Sequence, residues 1–148
     1  MAGSIPLKDS DSDKIIATME YESLTGKVLE YFWSVGIYIK YDSKNKPTKS
    51  GIMKQIHEKY PDVQIPIFDI FTPMDAINAI GIKKKKNKRE YKFFNKKHYC
   101  TLNWDYARYF NKKKVCQYTS REKVESDIHK MLLIMKELNL LYPKLVSE

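Results

Sequence analysis

A capping box followed by a sustained 3.6-residue period is the strongest constraint on how this chain folds. Thr119-x-x-Glu122 opens the segment, Val124, Ile128, Met131, Leu132, Met135 and Leu138 carry the period, and Asn139 and Pro143 close it. This predicts a C-terminal helix over residues 120–139. Its apolar residues cover more of the circumference than one packing face needs. Either the domain encloses the helix fully, or Met131, Met135 and Leu138 dock on a protein partner.

The remaining elements must enclose that helix within 148 residues, the length of a single domain. A hydrophobic content of 43% with only 5 Gly and 6 Pro excludes a wholly disordered chain. Residues 1–13 are acidic and Ser-rich and read as a flexible arm, leaving 14–148 as one domain. Ile15, Ile16 and Met19 point to helix, and Leu24, Val28, Leu29, Phe32 and Trp33 recur at helical spacing behind Ser23 as N-cap. Residues 37–41 alternate as a short strand does. Thr48 or Ser50 caps a second helix running to about Tyr60, with Ile52, Met53 and Ile56 on one face. Thr72, Pro73 and Gly81 punctuate a third, short helix. The aromatic-rich stretches 90–94 and 98–102 read as a β-hairpin with its tip at 95–97, and 103–115 as a short helix bearing Trp104, Ala107 and Phe110. The expected fold class is mostly α with a small β-hairpin: a three-helix core of helix-turn-helix or winged-helix type plus the long C-terminal helix.

Charge is segregated along this order. Residues 1–82 sum to −2 and residues 115–148 to zero, while 83–114 hold 13 Lys/Arg against 2 Asp/Glu, or +11. A block of this density concentrates polyanions, of which nucleic acid is the commonest inside cells. Lys outnumbers Arg 24 to 3, which favours contact with the phosphate backbone over reading of base edges by the planar Arg fork. The expected phosphate contacts are Lys83, Lys84, Lys85, Lys86, Lys88, Arg89, Lys92, Lys96, Lys97, Lys112, Lys113 and Lys114. The run 83–89 equally fits a nuclear import signal or a solvated loop. Nine of the 19 aromatic residues fall between Tyr91 and Tyr118. Most of these are expected to pack, with Tyr91 and Phe93 the outward pair available to stack on bases.

Other chemistry is poorly represented. His98-x-Cys100, Cys116 and His129 lack the spacing of a structural zinc site, and His57 reads as a surface residue. Asp62, Asp69 and Asp75 suit turns and caps. There is no phosphate-binding Gly loop, nucleophile elbow, metalloprotease or dinucleotide motif. No catalytic residues, metal, cofactor or small-molecule substrate are therefore expected. No apolar run reaches transmembrane length, and the two Cys without an N-glycosylation acceptor fit a reducing, intracellular setting.

The order of helix, short strand, helix, capped short helix 72–81 and basic hairpin 82–102 resembles winged-helix and other helix-turn-helix DNA-binding domains. Pro73 to Ile80 contains no Lys or Arg, so in that family's architecture the wing would make the contacts. Trp104 with Tyr109-Phe110-Asn111-Lys112-Lys113-Lys114 is similar to the end of a homeobox recognition helix, which implies Asn111 as an adenine reader. Small homeobox-like chains also serve as accessory subunits of nuclear DNA-modifying assemblies, N6-adenine methyltransferase complexes among them. The resulting expectation is a non-catalytic, nuclear DNA-binding accessory subunit of a larger complex, with DNA favoured over RNA. The alternative is a structural adaptor that docks through the C-terminal helix.

Overall fold

Among the described residues, alternation of period two builds the larger share of the regular structure, and two segments keep the helical period. The computed structural model describes residues 2–23, 31–72, 98–106, 108–110, 113–115 and 119–145. Along them run β1 (Ala2–Lys8), β2 (Ile15–Ser23), β3 (Tyr31–Lys40), α1 (Lys49–Lys59), β4 (Asp69–Phe71), β5 (Tyr99–Asp105), β6 (Arg108–Phe110), β7 (Lys113–Val115) and α2 (Arg121–Glu137). Five strands form one antiparallel sheet in the order β1-β2-β3-β5-β4, and β6 and β7 pair separately.

The expected mostly α, helix-turn-helix core is overturned by this sheet. Residues 15–19, read as helical, form β2, with Ala17 and Met19 buried. Trp33, placed on a helix by its spacing from Val28 and Leu29, instead begins the alternation Trp33, Val35, Ile37, Ile39, every member of which is buried in β3. In the expected arm, Ala2–Lys8 is an edge strand on β2, with Ile5 and Leu7 packed against the core. Gly3 faces Tyr21 across this pair, and a Cβ there would occupy the Tyr21 ring position. The helix expected over 103–115 is replaced by the end of β5 and by β6 and β7. The third helix beyond Thr72, the hairpin's first strand at 90–94 with its tip at 95–97, and residues 24–30 of the expected first core helix lie outside the described residues.

One face of the sheet is dry. Met19, Val35, Ile37, Ile39, Leu102 and Trp104 meet Ile52 and Ile56 of α1, Phe68, and Val124, Ile128, Met131, Ile134 and Met135 of α2 in one core cluster. The two helices lie side by side on it, joined by the Lys59–Glu137 ion pair (3.7 Å). Two of the expected helices are present: Thr48 caps α1 by accepting from Gly51 N–H at 3.0 Å. Ser120, one residue beyond the expected Thr119, caps α2 by accepting from Lys123 N–H at 3.2 Å.

α2 ends in a Schellman turn. Asn139 takes φ 58°, its N–H bonds to Lys136 O at 3.0 Å, and Leu140 N–H bonds to Met135 O at 2.9 Å. The chain then enters the sheet where β2 and β3 diverge. Lys40 N–H bonds to Leu140 O and Tyr142 N–H to Tyr38 O, after which Ile15 and Lys144 exchange two backbone bonds of 2.8 Å. Residues 140–144 thereby lock the ends of β2 and β3 together.

Candidate nucleic-acid interface

The opposite face of the sheet is polar and carries no helix among the described residues. Its rows follow from the register: Pro6, Thr18, Gly36, Asn103 and Asp69 form one row, and Tyr38, Thr101 and Phe71 another. Gly36 leaves room for the neighbouring Asn103 side chain, whose Oδ1 would stand 2.9 Å from an added Cβ. The Asn103 amide donates to Thr101 O at 3.1 Å and to Thr101 Oγ1 at 2.8 Å. These residues floor an open groove of about 890 Å³, with Ile67 and Phe71 exposed at its β4 side.

Charge divides this face. Glu20, Asp69 and Asp105 line the groove. At the end of the face where β5 begins, tyrosines and cations take over. Tyr38 meets Tyr99 edge-on with centroids 5.5 Å apart, and Tyr99 stacks on Tyr142 at 5.4 Å and 28°. Lys144 Nζ lies 5.2 Å from the Tyr38 centroid and 5.8 Å from that of Tyr99. Tyr38 also shares a 3.3 Å hydrogen bond with Thr18. Beside this cluster a second hollow of about 670 Å³ is lined by Tyr142, Lys40, Lys46 and His98. Lys40 Nζ donates to Asn139 Oδ1 at 3.0 Å. Among the described residues no carboxylate forms an ion pair with Lys40, Lys46 or Lys144.

The topology ties the basic segment to this same end. β4 leaves the sheet at Phe71, opposite Thr101, and β5 re-enters at Tyr99. The strands that flank residues 73–97 therefore end and begin beside the tyrosine cluster. Lys83, Lys84, Lys85, Lys86, Lys88, Arg89, Tyr91, Lys92, Phe93, Lys96 and Lys97 lie within them, outside the described residues. Asn111 and Lys112 are outside as well, and Lys113 and Lys114 belong to β7. Tyr38, Tyr142, Lys40 and Lys144 are the residues that sequence reasoning missed. The short alternation over residues 37–41 and the helix stop at Pro143 carry no sign of a shared surface for Tyr38 and Tyr142.

The expected partner-binding residues of the C-terminal helix have another role. Met131 and Met135 are fully buried against the sheet and Leu138 packs at the margin of the core, so this chain's own strands occupy the face a partner would need. Leu133 is the exposed apolar residue of α2.

One polar network runs beneath the sheet. Trp104 Nε1 donates to Tyr106 Oη at 3.0 Å, Tyr106 donates to Asp127 Oδ2 at 2.7 Å, and Lys123 Nζ donates to Asp127 Oδ1 at 3.0 Å. Burial, reinforced by the adjacent Asp127 carboxylate, holds the Tyr106 phenol well above its usual pKa. The network fixes a proton and joins β5 to α2. Of its members Trp104 also lines the groove, and none lines the second hollow. Cys100 is buried, His98 is exposed, and no group of three metal-capable side chains occurs among the described residues. No helix among them is long and apolar enough to cross a membrane. No family model matches the chain, and neither the curated proteins nor the solved structures compared with it contain a significant match.

Proposed function

We propose that this chain is a non-catalytic nucleic-acid-binding module, with DNA the favoured ligand, that serves as a subunit of a larger nuclear assembly. One observation carries the reading: nine Lys/Arg stand against one Glu between residues 83 and 97, and the strands on either side of residues 73–97 end and begin at the cationic tyrosine cluster. Cations brought together this way neutralise phosphates and release condensed counterions, a sequence-independent source of affinity. The acidic remainder of the face repels the same ligand and confines it to one end of the sheet.

The test is binding of the purified chain to labelled duplex DNA, single-stranded DNA and RNA over a salt series. A variant with Lys83, Lys84, Lys85 and Lys86 changed to Gln runs beside it. Affinity is expected to fall steeply with salt. The variant's log–log slope should be shallower by up to about 3.6, since each phosphate contact contributes roughly 0.7–0.9. Absence of binding at low salt, or a slope that the variant leaves unchanged, refutes the reading.

A further inference from the structure

We infer that the ligand is held as a single strand, its bases stacking on Tyr38, Tyr99 and Tyr142 while its phosphates meet Lys144, Lys40 and Lys46. This rests on the nucleic-acid reading above and adds the form of the ligand and the site on the sheet. The hydrophobic core occupies the opposite face, so three ring-bearing residues on this one are not required to fill it. They are half-buried and in mutual contact through the edge-on and stacked pairs at 5.5 and 5.4 Å. Such a ridge holds its rings in place in advance of a planar ligand.

The ridge also separates two hollows, since Tyr38 lines the open groove and Tyr142 lines the hollow that contains Lys40, Lys46 and His98. A nucleotide seated on the rings places its phosphate toward these cations. A duplex keeps its base faces within its own stack and offers edges and backbone, so a stacking ridge discriminates in favour of unpaired strands. Lys144, poised over two rings, supplies a cation at the point where base and phosphate meet. Ribose and deoxyribose strands share this chemistry, and separate probes tell them apart.

The experiment compares an oligothymidylate with an abasic oligomer of equal length and phosphate count, each titrated into the full chain, with an oligouridylate as the ribose counterpart. The chain is expected to prefer the base-bearing strand by tenfold or more, on the scale of one or two stacked bases. Tyr142→Leu and the double variant Tyr99→Leu/Tyr142→Leu should lose that preference yet retain abasic binding and its salt slope. Tyr142→Phe, which keeps the ring, should preserve it. Changing Lys83, Lys84, Lys85 and Lys86 to Gln should lower the slope and leave the preference intact. Equal binding of both strands by the unaltered chain overturns the stacking site while the module reading survives. A preference that persists in Tyr142→Leu places the bases elsewhere and overturns it too, and failure to bind either strand at low salt removes both readings together.

Discussion

Asp127 is 5% exposed, and two donors, Tyr106 and Lys123, hold its carboxylate. Tyr106→Phe would remove one donor and also leave Trp104 Nε1 without its acceptor. A loss of about 1–3 kcal/mol is expected, read from the urea midpoint. The pH dependence has a definite sign. The folded phenol titrates above the unfolded value of about 10, so the contribution of its protonated form is complete below about pH 10 and declines as pH rises toward the folded value. The unaltered chain should therefore lose stability more steeply than Tyr106→Phe on going from about pH 9 to 11, and parallel curves would show that Tyr106 is not the group responsible. At this scale the Thr48 cap was legible, because it acts on an N–H group three residues away, while the cap of α2 fell on Ser120, one residue past the expected Thr119. The Asp127 network was not, since it joins side chains 21 positions apart.

The two helices were readable and most of the sheet was not, for a reason visible in β2. Ile15, Ile16 and Met19 fit a helical period while Ile15, Ala17 and Met19 fit an alternation, and the choice falls to pairing with β3, where Ala17 meets Ile37 and Met19 meets Val35. Helices α1 and α2 carry their own caps and periods, so distant partners merely confirm them. Burial sets the expected mutational contrast along α2. Met135→Ala should cost about 2–5 kcal/mol, whereas Leu133→Lys, at a position 57% exposed, should stay within about 0.5 kcal/mol. Similar costs for the two would contradict the packing described. The turn after α2 gives a second contrast. Asn139→Gly retains the left-handed backbone, while Asn139→Ala must adopt φ 58° with a Cβ and should cost about 1–2 kcal/mol more in thermal or urea unfolding.

Across the whole molecule, the block of positive charge at residues 83–114 was legible as a charge block, but the tyrosine surface at one end of the sheet was not. Tyr38, Tyr99 and Tyr142 come from two strands and a tail that only the folded topology brings together. The same topology sets an opposing field, because Glu20 and Asp69 line the groove next to the cationic ridge. If phosphates are drawn to the ridge and repelled by the groove, the charge change Glu20→Gln/Asp69→Asn should tighten binding of single-stranded DNA several-fold at 50 mM salt. The gain should nearly vanish at 0.5 M, where the screening length is about 4 Å. Stability should change little, since the Asp69–Lys49 pair at 3.7 Å is exposed on both sides and such pairs contribute about 0–1 kcal/mol. Fluorescence anisotropy at the two salt concentrations checks this. An affinity gain that survives high salt would mean that the acids shape the site by contact, and no gain at low salt would mean that the strand does not approach this face.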